Sequence, residues 1–335
     1  YLSNYQRVII NSGKITNKGW EISVSGVPVK VKNFEWKTIF NWSKNNSMVE
    51  SLPEGIDKIQ IGSGVYNVKS YAEVGKPYGA IYAKTFKRDA EGYILCQLDG
   101  SPKEGQDYEY LGCVQADWRG GWNNVFRLGN FSFSVMFDFQ KGGKFFSQTS
   151  IQSSVDGQSV KSLEGRDADF FSRKILGESD EERYGFMRPQ NANTPTANGQ
   201  IYPDWGRPKG VVLPNCRYDE DVEGLAGQQV LGYCTPERYW MHYTSRDISR
   251  FIYDASYVKL REITVSYDLP KKWLRKTPFQ TFRVAAVGRN IATLFANTPH
   301  GLDPQATSTT GNAQGFERGF NLPSATYGFD IKVSF

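Results

Sequence analysis

The sequence predicts an all-β chain: about seven antiparallel strands forming part of a large transmembrane β-barrel, with long loops. Three observations carry this reading. Strand-length segments alternate between apolar and polar residues, aromatics make up 14% of the 335 residues, and short turns alternate with long polar connections. The final segment is the clearest. In Ala325–Phe335, Tyr327, Phe329, Ile331, Val333 and Phe335 share one face, and Gly328, Asp330, Lys332 and Ser334 the other, because strand side chains alternate. One apolar face, one polar face and a terminal aromatic suit a strand set between lipid and water.

In chain order, Asn17-Lys18-Gly19 reads as a turn. Trp20, Ile22 and Val24 then alternate with Glu21, Ser23 and Ser25 in a strand to about Val31, with Pro28 marking irregular pairing. After Lys32-Asn33, the residues Phe34, Trp36, Thr38, Phe40 and Trp42 lie opposite Glu35, Lys37, Asn41 and Ser43. Residues 44–115 are polar and broken by Gly and Pro, with a small hairpin expected inside Tyr78–Leu98. A second hairpin turns at Leu128-Gly129-Asn130. Trp118, Trp122 and Phe126 alternate with Arg119, Asn123 and Arg127, and Phe131, Phe133, Val135, Phe137 and Phe139 with Ser132, Ser134, Asp138 and Gln140.

Residues 141–256 make the longest connection, with a short helix expected in Lys161–Leu176. Tyr257–Leu269 and Phe279–Leu294 are strands joined by a short, helical turn at Pro270–Lys276, and 295–324 is a Gly/Pro/Thr-rich loop. A soluble sandwich alternates too, but its strands run shorter. These approach the roughly 9–11 residues that cross a bilayer at a tilt. Phe131, Phe133, Phe137, Tyr327 and Phe329 are expected to face lipid; Glu35, Lys37, Ser132, Asp138, Asp330 and Lys332 are expected to face the lumen.

Composition narrows the function classes. The net charge of +5, with both signs interspersed, is too mild for a nucleic-acid binder. No run of about 18 apolar residues offers a transmembrane helix, which leaves a barrel open. Tyr1 starts without Met or an apolar signal stretch, so the chain is expected to be part of a longer exported product. An isolated sheet with two open edges cannot sit in lipid, so further strands are expected from the N-terminal part of the same gene product. Cys96, Cys113, Cys216 and Cys234 form no Cys-x-x-Cys pair, and zinc is not expected. An exported protein favours disulfides, and proximity suggests Cys96–Cys113 and Cys216–Cys234, though four cysteines allow three connectivities.

Several motifs carry a family resemblance. They are Asn17-Lys18-Gly19-Trp20-Glu21, Phe34-Glu35-Trp36, Asn41-Trp42-Ser43-Lys44-Asn45, Asp117-Trp118-Arg119-Gly120-Gly121-Trp122-Asn123-Asn124, Ala255–Thr264 through Leu269-Pro270, Arg289-Asn290 and Asp303-Pro304. Ala116 stands where the family often has Pro. Taken in order, these resemble the C-terminal part of the SusC/RagA family, TonB-dependent outer-membrane transporters of Bacteroidetes. The resemblance implies that residues 1–335 belong to the C-terminal part of a barrel of about 22 strands. It implies an N-terminal plug and further strands outside this chain, extracellular long loops, a SusD-like lipoprotein cap and coupling to the TonB complex. It also implies an oligosaccharide or oligopeptide solute. A passive porin, or a non-transporting glycan-binding β protein, is the alternative.

No catalytic constellation stands out, so neither an enzyme nor a cofactor is expected. Asp219, Asp221 and Glu223, with Gly224 at the sixth position, resemble the start of a calcium loop. The twelfth position is Val230 rather than Glu, which favours a solvated acidic turn. Tyr202, Trp205, Trp240 and Tyr243, with Arg207 and Arg246, are candidates for contact with solute or partner. Ordinary loop packing is the competing role for these aromatics.

Overall fold

The computed structural model describes residues 13–164, 211–234, 236–299, 301–306, 311, 314–319 and 324–335. Strands β1 (Lys14–Val31) and β2 (Phe34–Ser51) form a long hairpin. The first long connection holds β3 (Lys58–Ser63), β4 (Lys69–Glu73), β5 (Ala80–Ala83), β6 (Ile94–Cys96) and β7 (Glu109–Cys113). A second hairpin follows, β8 (Trp118–Leu128) and β9 (Phe131–Lys141). The second connection carries β10 (Lys144–Ser147), helix α1 (Gln148–Val155), β11 (Val211–Tyr218), β12 (Gln229–Cys234) and β13 (Ile252–Asp254). Then come β14 (Tyr257–Asp268), helix α2 (Lys271–Leu274) and β15 (Thr281–Ala296). The third connection holds β16 (Phe316–Glu317), and β17 (Thr326–Ser334) ends the series.

Seven strands build one antiparallel sheet in the order β1-β2-β8-β9-β14-β15-β17. They are the seven that the sequence pattern predicts. Register keeps like with like across the sheet. Trp36, Phe126, Phe133 and Val265 lie opposite one another in turn, as do Glu35, Arg127, Ser132 and Ser266 on the other face. The apolar face is bare: Phe329 is 86% exposed and Trp20 is 74% exposed. Its rings pack laterally, Trp36, Phe126 and Phe133 forming a stacked row with centroids 6.0 and 6.1 Å apart. Cross-strand aromatic pairs of this kind stabilise a sheet locally. Polar groups on this face are paired: Trp36 Nε1 donates to Asn124 Oδ1 at 3.0 Å and Trp122 Nε1 to Thr38 Oγ1 at 2.9 Å.

The three short turns lie at one end of the sheet and the three long connections at the other. The connections fold together. One core combines Val68, Ile81 and Ala83 of the first, Phe146, Ile151, Ile248 and Phe251 of the second, and Phe316 of the third. A second core joins Phe86, Ile94 and Cys96 to Val211, Leu213, Tyr239 and Trp240. Strand pairing does the same work, since β6 lies parallel to β11 and β10 parallel to β16.

Two local expectations need correction, and one holds on a short segment. Residues 17–19 are strand, not turn, because Asn17 and Gly19 pair with Ser47 and Asn45. Glycine is needed there for close approach: a Cβ on Gly19 would sit 2.4 Å from the Lys44 carbonyl oxygen. The small hairpin expected inside Tyr78–Leu98 is present: Arg88 bridges Ile94 antiparallel, the Asp89 N–H donates to the Tyr93 carbonyl at 3.0 Å and the Leu95 N–H to the Lys87 carbonyl at 2.8 Å, while β5 pairs with β4 and β7 and β6 also pairs with β11. Of the expected Lys161–Leu176 helix, the described part is a 3-10 turn, Val160–Leu163, and residues from 165 lie outside the described residues.

The two faces predict opposite responses to charge in a bilayer. Phe133→Arg puts a guanidinium on the apolar face and should lower unfolding free energy by roughly 2–4 kcal/mol at mid-depth, while Ser134→Arg should cost far less. Denaturant titration of the lipid-embedded protein measures both. Equal losses would contradict the assignment of faces.

Candidate functional site

Three adjacent strands deliver polar side chains to the inner face just below the loop layer. Register aligns Arg119 of β8, Gln140 of β9 and Tyr257 of β14, with Asp138 and Lys259 opposite each other one step further on. A bulge between Leu260 and Glu262 adds Arg261 to this face.

The third connection bends back to meet them. Lys259 is 1% exposed, and its Nζ donates to both Asp303 carboxylate oxygens at 2.5 Å and to Gln305 Oε1 at 2.9 Å. Arg261 donates to Asp138 and, at 2.7 Å, to Gln305 Oε1. Gln305 Nε2 donates to the Tyr257 hydroxyl at 2.5 Å, and that hydroxyl donates to Asp138 Oδ2 at 3.3 Å. Asp303 also accepts the Gln305 backbone N–H at 2.8 Å, which fixes the turn presenting both side chains. Beside this network lies a cavity of about 460 Å³, lined by Arg119, Asp138, Gln140, Lys144, Tyr257 and Gln305 among others. Its hydrogen-bonding groups and one aromatic wall, Phe145, suit a polar solute.

The aromatic candidates fare differently. Tyr202, Trp205 and Arg207 lie outside the described residues. Trp240 and Tyr243 are 3% and 2% exposed, inside the second loop core, so protein already covers the ring faces expected to stack on solute. Trp240 Nε1 donates to the Glu164 carbonyl at 3.1 Å. Arg246 lies over the Tyr243 ring at 4.9 Å and 3.9 Å from Glu104, holding loops together.

The weak calcium candidate is also corrected. Asp219 receives Lys87 at 2.9 Å and Lys103 at 2.8 Å, and Lys103 also pairs with Asp221. Two ammonium groups occupy the carboxylate that calcium would need, and Glu223 is exposed. This cluster ties the first connection to the second.

Neither expected disulfide forms, and none of the four cysteines is in a disulfide. Cys113 belongs to the β3-β4-β5-β7 sheet, where its Sγ meets the Tyr78 carbonyl at 3.4 Å, while Cys96 lies in the β6-β11-β12 sheet. Cys216 stands opposite Val230 and Cys234 opposite Val211, several residues apart along the ladder and beyond disulfide reach. Burial pushes the Cys234 thiol up to about 12, leaving it inert at neutral pH.

Two predictions follow from these contacts. Removing one partner of a buried ion pair strands the other charge, at about 3–5 kcal/mol. Lys259→Ala should therefore destabilise the protein by that order and expose 297–325 to protease, whereas Lys259→Met combined with Asp303→Leu should recover most of the loss. Stability equal to wild type in the single variant would refute the anchoring role. Asp219 supplies a pH signature. Burial favours its neutral acid, but hydrogen bonds from Lys103 and Lys87 outweigh burial and hold it at about 2 against an ordinary 3.8. The depressed value stabilises the folded state above pH ~4, by on the order of 2 kcal/mol, and this is lost as pH falls through 2. Pepsin resistance of the loop layer should drop there, and Asp219→Asn should flatten the pH dependence while lowering resistance in the plateau.

No family model matches the chain. TonB-dependent receptor P3 of Formosa agariphila is 24% identical over 95% of this chain and 28% of its own length. TonB-dependent receptor P26 of the same organism is 28% identical over 41% of this chain and 16% of its own length. The chain has the fold of part of a chain in the structure of the RagAB peptide transporter, with TM-score 0.52, 16% identity, and coverage of 97% of this chain and 30% of that one. The RagAB importer in its 'closed-closed' state gives TM-score 0.54 at 15% identity, over 97% of this chain and 30% of that one. The chain therefore spans less than a third of these relatives' length. Alike in sequence to TonB-dependent receptors along nearly its whole length, and alike in fold to a segment of a transporter β-barrel, the chain is similar to TonB-dependent outer-membrane transporters.

Proposed function

We propose that this chain forms the C-terminal part of the barrel of a TonB-dependent outer-membrane importer. The observation that carries the proposal is the two-faced sheet: a bare aromatic wall on one side and a charged, hydrogen-bonded wall on the other. β1 and β17 each pair on one side only, and unsatisfied backbone groups cannot face lipid. Strands from outside this chain, together with a plug, complete the barrel. The apolar face contacts outer-membrane lipid and the polar face lines the solute path.

The three long connections face the cell exterior. Their described parts pack into one layer, which offers a firm docking surface for a SusD-like lipoprotein cap. The solute is an oligopeptide or an oligosaccharide, and the relatives' names as receptors and transporters agree with a non-enzymatic role. Uptake is powered through the TonB complex, which engages the importer outside this chain.

The test is made in cells. The tagged importer should fractionate with the outer membrane and co-purify with a surface lipoprotein, and its solute uptake should stop when the TonB complex is removed. Uptake that continues without TonB would indicate a passive pore.

A further inference from the structure

We infer that the cavity beneath the loop layer is a carboxylate-binding subsite, with Arg119 and Lys144 as its cationic contacts. The inference rests on the importer reading and names a chemical class for its solute. The charge balance of the lining carries it. Asp138 is the one carboxylate among the cavity's described lining residues, and Arg261 already neutralises it. Arg119 uses Nε to donate to Gln140 Oε1 at 3.1 Å, which fixes the plane of its guanidinium. Among the described residues, no carboxylate lies within ion-pair distance of the terminal nitrogens of Arg119 or of the Lys144 ammonium. Asp254 stands opposite Lys144 across the β10–β13 ladder and accepts from the Ser256 backbone N–H at 2.8 Å and from Asn297 at 3.1 Å; its charge offsets part of the Lys144 ammonium, which leaves Arg119 as the principal cationic contact. Lys144 runs its aliphatic stem against Gly112, where a Cβ would meet Cγ at 2.5 Å.

Arg119 is central by position as well as by charge. It lines this cavity and two neighbouring depressions on the same inner face, so a solute moving along the wall meets it repeatedly. A guanidinium held by one hydrogen bond, with no partner for its two terminal nitrogens among the described residues, is the geometry that receives a carboxylate through paired N–H donors. The Gln140, Gln305 and Gln314 amides and the Tyr257 hydroxyl provide donors and acceptors for amide or hydroxyl groups next to that carboxylate. Peptide C-termini with acidic side chains, and the uronates of acidic oligosaccharides, share this chemistry.

The experiment uses the whole importer, purified in detergent. It is offered a tryptic digest of casein and an oligogalacturonate mixture, each as prepared and after methyl esterification of its carboxylates. The expected result is at least about tenfold weaker retention after esterification in one arm, and the arm that responds identifies the source. Arg119→Gln should erase the discrimination and Arg119→Lys restore part of it, with an unchanged heat-modified band confirming a folded barrel. Equal retention of free and esterified ligands by the wild-type importer, or absence of retention in both arms, overturns the subsite. Because that comparison needs no variant, misfolding cannot obscure it. TonB-dependent uptake in cells reports separately on the importer reading, which stands if only the esterification contrast fails.

Discussion

Continuous antiparallel pairing from β1 to β17 is the constraint on which everything else depends. Side chains alternate with period two, so a slip of one residue would exchange the aromatic and charged faces across the sheet. Short turns pin the register at one end: Val31 pairs with Phe34 and Leu128 with Phe131. Departures are local. The bulge near Pro28 resumes the original faces, and the one beside Arg261 adds an inward charge without disturbing Leu260 or Ile263 on the outer face. A ladder this regular gives a wall rather than a core, which is why Trp20, Phe131, Tyr327, Phe329 and Ile331 stay exposed although they are large and apolar.

The ordinary hydrophobic core lies in the connections. They are too long to be turns, and they bury Phe86, Phe146, Tyr218, Tyr239, Phe251 and Phe316 almost completely. Each connection supplies only part of a core, so the layer is cooperative between segments distant in sequence. The Lys87–Asp219–Lys103 cluster and the buried Glu317, which accepts from Ser147 at 2.7 Å and the Thr149 N–H at 3.0 Å, join connections to one another. The Lys259–Asp303 pair joins the layer to the wall. The polar cavity therefore sits at the junction of the sheet and the loop layer packed above it.

The wall was legible in the sequence because period-two alternation is a local signal. Phe131 to Gln140 assigns its own faces without knowledge of any partner strand. The loop layer was not legible, for the same reason. Whether Trp240 lies on a surface or in a core depends on Phe86 and Leu213, far away in the chain. Cys96 and Cys113 are close in sequence but belong to different sheets. Asp303-Pro304 was recognisable as a motif, yet its partner Lys259 emerges only once the third connection folds back. Inward residues of β8 and β9 could have been collected from alternation alone, and that set contains Arg119 and Gln140; Tyr257 could not, because the bulge between Leu260 and Glu262 reverses its phase relative to Ile263 and Val265.

The central claim is that one face of this sheet meets lipid and the other meets water. Spin labels on single cysteines at Phe329→Cys, Ile331→Cys, Asp330→Cys and Lys332→Cys in the reconstituted protein test it directly, through collision with oxygen and with a water-soluble nickel chelate. Labels at 329 and 331 should favour oxygen, and those at 330 and 332 should favour nickel, with a period of two. Equal accessibility at all four positions, or the reverse phase, would contradict the account.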